Sequence, residues 1–142
     1  MRILPEHIYD DGIIKGLCEG DSTITGFSYR DGGPFSVDIR RVDGSFGRLT
    51  LLHVTQLGFC GLQNGSIVFW FKAWHPIDVP EEQSAHNQGA WAVLFGNDIP
   101  VYDLAPAIKR VQETADPTSY LVYMESSYGG LFSVLCGAIE IE

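Results

Sequence analysis

The side chains able to hold a metal, move a proton or attack an electrophile form few groupings in this 142-residue chain. His7-x-x-Asp10-Asp11 sets an imidazole beside two carboxylates, which suits a metal or an acid–base pair if a further ligand arrives from elsewhere. With Gly12, the same residues also spell a turn into a first strand. His75 and His86 bracket a segment carrying Asp78, Glu81 and Glu82, the densest gathering of imidazole and carboxylate donors, but without H-E-x-x-H or paired-histidine spacing. His53 lies between Leu52 and Val54 and reads as a sheet histidine. Pairing Cys60 with His53 or His75 would need a cationic neighbour or a helix N-terminus to depress the thiol pKa, and the sequence supplies neither. Ser126-Ser-Tyr-Gly-Gly130 lacks the G-x-S-x-G order of a nucleophile elbow and reads as a hairpin turn. Asp31-Gly-Gly33 and Gly129-Gly130 lack the lysine and the strand-to-helix setting of a phosphate-cradling loop. These patterns imply no metal, no cofactor and no catalytic residue, and they rank a hydrolase last.

Charge points elsewhere. Eighteen carboxylates against nine Lys and Arg give a formal charge of −9, which repels a phosphate backbone and argues against nucleic acid as a partner. Ten of the acids, but only Lys109 and Arg110 among the bases, fall in residues 73–142. An imbalance of this kind keeps a protein soluble, and it also steers a basic partner. Trp70, Trp74 and Trp91, with Phe69, Phe71 and Phe95, read as core in preference to a ligand platform, but Trp74 and Trp91 flank the acid-rich segment, and aromatic residues at the edge of a charged patch are typical binding anchors. The candidate partner-binding set is therefore Trp74, Asp78, Glu81, Glu82, Trp91, Asp98 and Asp103. Cys18, Cys60 and Cys136 are odd in number, far apart and set among apolar or glycine neighbours; all three read as buried thiols in a reducing compartment.

The elements that must position these residues are short. Sixteen glycines and seven prolines cut the chain into pieces, most of them alternating or rich in β-branched and aromatic residues. Gly12–Glu19 with Thr23–Arg30 predicts a first hairpin. Phe35–Val42 alternates with Phe35, Val37 and Ile39 on one face, and Asp43-Gly44 turns the chain into a longer strand, Arg48–Leu57. Asn64-Gly65 predicts a turn before Ser66–Trp74, a central strand covered on both faces at least over its first half. Residues 76–89 read as an exposed excursion with a short helical turn opening at Pro80, and Ala90–Phe95 reads as helix in preference to strand. The spacing of Leu104, Ala107, Ile108 and Val111 predicts a helix over 104–114, with Asp103 as its N-cap. Ser119–Glu125 and Gly130–Ile141 predict a closing hairpin. The whole is one domain, 1–142, of α+β class: predominantly antiparallel sheet, as a sandwich or partly open barrel, with one or two short helices packed on it. No apolar run approaches the roughly 20 residues of a membrane span, and the first residues carry no signal-peptide pattern, so a cytoplasmic location is expected.

Leu49-Thr-Leu-x-x-Val54-Thr-Gln-Leu57, Gly61-Leu-Gln-Asn-Gly-Ser-Ile67 and Tyr120-Leu-Val-x-Met-Glu-Ser-Ser-Tyr-Gly-Gly130 together resemble the small, acidic, β-rich immunity proteins encoded beside bacterial polymorphic toxins. The resemblance implies a cytoplasmic, non-enzymatic inhibitor that binds a basic cognate toxin through acidic residues, and it transfers no individual residue's role. Two other readings stand beside it. One is a small-ligand or carbohydrate-binding β domain with Trp74, Trp91, Tyr128 and nearby carboxylates lining a pocket; the other is a hydrolase built on His75 and His86 or on His53 and Cys60. Exposed sheet edges leave open the pairing of two copies.

Overall fold

The computed structural model describes residues 1–18, 20–61, 65, 67–96, 98–126 and 130–142. Its elements are β1 (Ser22–Tyr29), β2 (Phe35–Arg40), β3 (Phe46–Leu52), β4 (Gln56–Cys60), β5 (Ile67–Trp74), α1 (Ala90–Leu94), α2 (Leu104–Thr114), β6 (Tyr120–Ser126), β7 (Leu131–Cys136) and β8 (Ala138–Ile141). Short 3₁₀ turns lie at Pro5–His7, Pro76–Asp78, Glu81–Ser84 and Val101–Asp103. The strands form one antiparallel sheet in the order β4-β7-β6-β5-β1-β2-β3-β8. It is not closed into a barrel, β4 and β8 being its two ends. The α+β architecture, mostly antiparallel sheet with one substantial helix, is the one the sequence predicts. Among the described residues, no helix is long and apolar enough to cross a membrane.

The β2–β3 hairpin follows its sequence closely. Phe35, Val37 and Ile39 are buried, and Gly44 takes the positive φ of 87° that the turn requires. Asp43 accepts hydrogen bonds from the Ser45 amide at 2.9 Å and the Ser45 hydroxyl at 2.6 Å. Those two bonds hold the Asp43 carboxyl below the usual carboxylate range.

Three expectations are corrected. Residues 12–18 form no hairpin with β1. Instead Ile13 bridges to Lys72 of β5, the Ile14 amide donates to the Phe71 carbonyl at 3.0 Å, and the Ala73 amide donates to the Gly12 carbonyl at 2.8 Å. The buried side chains here are Ile14, Leu17 and Cys18, a turn spacing and not an alternation, while Gly12 and Gly16 sit at φ 92° and 77°. The second correction concerns the predicted long strands Arg48–Leu57 and Gly130–Ile141, which are each broken at one shared corner. Leu52 pairs with Ala138 and Gln56 with Leu135, so three residues on one strand oppose two on the other. The surplus is a bulge that bends both strands. His53 occupies that corner, exposed and with φ 55°; it is not a mid-strand residue. A Cβ on Gly137 across the corner would lie 3.1 Å from the Cβ of His53. Third, Asp103 makes no side-chain capping bond to α2, because its φ of −102° and ψ of 1° are not the extended conformation that swings an N-cap oxygen onto the helix amides.

The sheet is apolar on both faces over β6 and β7. On the inner face Val122, Met124, Phe132, Val134 and Cys136 join the main core with Phe35, Leu49, Phe71 and Ile139. On the outer face Leu121, Tyr123 and Leu131 meet Trp74, Ala90, Trp91, Val93 and Leu94 in a second core. The 76–116 excursion is thus a cover over the outer face. Its polar backbone is tied down at α1: Ala90 donates its amide to Gln83 Oε1 at 3.1 Å, Ser133 Oγ donates to the Ala90 carbonyl at 2.7 Å, and the Tyr123 hydroxyl donates to the Gln88 carbonyl at 2.9 Å. Gly58 of β4 lets α1 approach, since a Cβ there would collide with the Val93 carbonyl oxygen. Gly58→Ala is therefore expected to lose about 1–3 kcal/mol of stability in urea titrations. Gly26→Ala, whose Cβ would meet only Asp38 Oδ2 at 3.7 Å, is expected to stay within about 1 kcal/mol.

Candidate acidic binding face

The cover places five of the predicted site residues on one layer. Asp78 ends the 76–78 turn, Glu81 and Glu82 open the 81–84 turn, Asp98 follows α1 and Asp103 precedes α2; all five are exposed. Among the described residues none of the five carboxylates is in an ion pair. The ion pair on this layer joins Lys109 to Glu113 at 3.8 Å. The first half of the chain differs, with Arg48 held on Asp38 at 2.6 Å and Arg2 on Glu140 at 2.9 Å. The outer layer is left with uncompensated negative charge because its sequence supplies two cations for seven acids over 76–116.

The two tryptophans lie in the core and not at the exposed edge of the charged layer. Trp74 is 8% exposed and Trp91 2%, so neither presents a ring to a partner. Trp74 stacks on Tyr123 with centroids 6.5 Å apart, and Trp91 on Phe95 at 6.5 Å. Both fasten the cover to the sheet. The reason is the two-sided apolar character of β6 and β7: the largest rings near the acidic segment are drawn into its underside, where burying one such ring is worth about 4–6 kcal/mol. Trp91 does line, with Glu81, Val79, Leu104 and Ile108, a cleft of about 360 Å³ between the 81–84 turn and α2. Trp74 lines a different cleft, and Tyr128 lies outside the described residues.

The exposed large side chains of the layer are Ile77, 62% exposed, and Tyr102, 85% exposed. Neither belongs to the predicted set. A signal existed: each follows a proline that opens a 3₁₀ turn and directly precedes an aspartate, in Pro76-Ile-Asp78 and Pro100-Val-Tyr-Asp103. Such a turn is too short to bury its middle residue.

The imidazoles serve their own turns. His7 Nδ1 accepts from the Leu4 amide at 2.9 Å, His75 Nδ1 from the Ile77 amide at 3.2 Å and His86 Nδ1 from the Gln88 amide at 3.1 Å. Asp11 accepts from the Ile13 amide at 3.1 Å. No group of three or more His, Cys, Asp or Glu side chains among the described residues could hold a metal ion. Cys60, predicted buried, is exposed at the far end of β4, away from the corner that His53 occupies. Ser126 is buried and donates its hydroxyl to the Gly130 carbonyl at 2.8 Å, tying the hairpin ends together. No protein-family model, curated protein or solved structure matches this chain.

Two buried acids of the ordinary alkaline range mark the sheet's two cores. Burial pushes the Cys136 thiol up to about 12, and burial, with the Glu125 charge, pushes the Tyr123 phenol up to about 12. Both hold their protons more tightly folded than unfolded, so their contribution is complete below about pH 9 and fades as pH rises from 9 towards 12. Urea midpoints measured from pH 8 to 11 are expected to fall across the upper part of that range. Native-state thiol labelling near neutral pH is expected to modify Cys60 and to spare Cys18 and Cys136; Cys60→Ser removes the fast reaction.

Proposed function

We propose that the chain is a non-enzymatic binding protein, an immunity-type inhibitor whose acidic surface docks on a basic cognate toxin and neutralises it. The observation that carries this reading is the outer layer itself, where Asp78, Glu81, Glu82, Asp98 and Asp103 stand exposed without ion-pair partners among the described residues, with the exposed side chains of Ile77 and Tyr102 in the same turns as Asp78 and Asp103. Unpaired carboxylates steer a basic surface into encounter, which raises the association rate in a salt-dependent way. Exposed apolar side chains between them supply the short-range contact that sets the dissociation rate. The anchors of this reading are Ile77 and Tyr102; Trp74 and Trp91 act beneath them by holding the layer flat on the sheet.

Capture from the source lysate at low salt, followed by a high-salt wash, is expected to retain and then release one basic protein. With that partner in hand, the double reversal Glu81→Lys/Glu82→Lys is expected to slow association with little change in Tm, whereas Tyr102→Ala is expected to raise the dissociation rate. An association rate indifferent to the double reversal would remove this layer from the interface.

A further inference from the structure

A second, smaller feature joins the acidic layer to the N-terminal arm. Gly12, with φ 92°, lies flat against Trp74, and a Cβ there would come within 2.5 Å of the indole Nε1. Beside this contact opens a cleft of about 230 Å³, walled by Tyr9, Asp10, Trp74, His75, Asp78 and Tyr120. No Lys or Arg lines it, and the Asp10 and Asp78 carboxylates have neither an ion-pair nor a hydrogen-bond partner among the described residues. Trp74 is more than nine-tenths buried, yet its indole N–H, at the Gly12 wall of the cleft, makes no hydrogen bond among the described residues. A buried donor without an acceptor is uncommon in a folded protein and calls for one from outside. The cleft adjoins a larger one of about 460 Å³, with which it shares Pro5, His75 and Tyr120 and whose Arg2 is already paired with Glu140 at 2.9 Å.

The chemistry of the occupant follows from these groups. The two free carboxylates and the aromatic walls favour a cation. Tyr9 already carries one, the Lys15 ammonium lying 4.8 Å from its ring centroid while donating to the Glu6 carbonyl at 2.8 Å. The Trp74 N–H demands an acceptor, which a bare ammonium or guanidinium lacks. A neutral sugar offers acceptors but leaves both carboxylates uncompensated. A basic peptide segment offers both, as a cationic side chain and a main-chain carbonyl. We infer that this cleft receives a lysine or arginine side chain of the partner, its charge between Asp10 and Asp78 and a neighbouring peptide carbonyl on Trp74 Nε1, the chain continuing along the larger cleft. The inference rests on the basic-partner reading and names where that partner inserts.

The test uses N-acetyl-L-lysine methylamide and its uncharged counterpart of equal length, N-acetyl-L-norleucine methylamide, titrated into the full ¹⁵N-labelled chain. The reporter is the Trp74 indole N–H resonance, assigned with Trp74→Phe. The lysine probe is expected to shift this resonance saturably, and more tightly than the norleucine probe. Asp10→Asn and Asp78→Asn, both at exposed positions, are each expected to weaken it by about 1.5- to 5-fold, with Tm unchanged. Asp31→Asn, at an exposed carboxylate outside the cleft lining, is expected to leave it close to wild type. Equal affinity for the two probes, no shift with the lysine probe, or saturation by methyl glucoside in place of lysine would each overturn the inference. If a captured basic partner associates equally well with Asp10→Asn/Asp78→Asn, the cleft assignment fails while the acidic-face reading stands. If the lysine probe binds but no basic protein is captured at low salt, the cleft chemistry stands and the inhibitor reading fails.

Discussion

The structure depends on covering the outer face of the β6–β7 hairpin. Those strands alternate apolar residues with other apolar residues, so that Val122 and Met124 serve the inner core while Leu121 and Tyr123 serve the outer one. A sheet region buried on both faces is stable only with a layer over each. The curled sheet supplies the inner one by wrapping β1–β3 and β8 around the same core. The outer layer has to come from the long connection between β5 and β6, and it does so with few helical residues: α1 spans five residues and α2 eleven. That economy explains why α1 is pressed close to β4 at Gly58 and why its backbone ends are tied by the Gln83 and Ser133 side chains.

The same constraint sorts the side chains of the connection. Most of its apolar residues turn towards the sheet, and its acids are left exposed, with Glu113 paired to Lys109 and Asp78, Glu81, Glu82, Asp98 and Asp103 in no ion pair among the described residues. Electrostatic character is thus a by-product of coverage: a short segment with many carboxylates, two cations and one buried face leaves most of its charge exposed. The apolar side chains that escape burial, Ile77 and Tyr102, do so because they occupy single 3₁₀ turns between prolines and aspartates. The Trp74 indole sits at the hinge of this arrangement, where the strand ends, the cover begins and the N-terminal arm crosses.

Much of the architecture was legible residue by residue. Phe35, Val37 and Ile39 announced β2, Asp43-Gly44 its turn, Leu104 to Val111 the helix α2, and Pro80 the turn that follows. What misled was context. Gly12–Glu19 carries strand-forming residues, but Ile14, Leu17 and Cys18 reach the core by turn spacing. His53 and Gly137 look like ordinary strand positions until they meet across the corner, and Asp103 has the identity of a cap without the backbone angles of one. Trp74 and Trp91 entered the candidate set by their position beside acidic residues, and both are buried beneath the cover, so neither is an exposed ring at the edge of the charged layer. Cys60 shares its apolar surroundings with Cys18 and Cys136 in sequence, yet lies at the end of an edge strand.

By itself the sequence determined the class of fold, the sign of the charge and the segment that carries it, because alternation, helical spacing and net charge are local properties that no neighbour alters. Tertiary structure alone decided which side chains face solvent, where the long strands bend and which groups share a cleft. Those outcomes depend on contacts between residues such as Gly12 and Trp74, or Gly58 and Val93, whose separation along the chain carries no signature of their meeting.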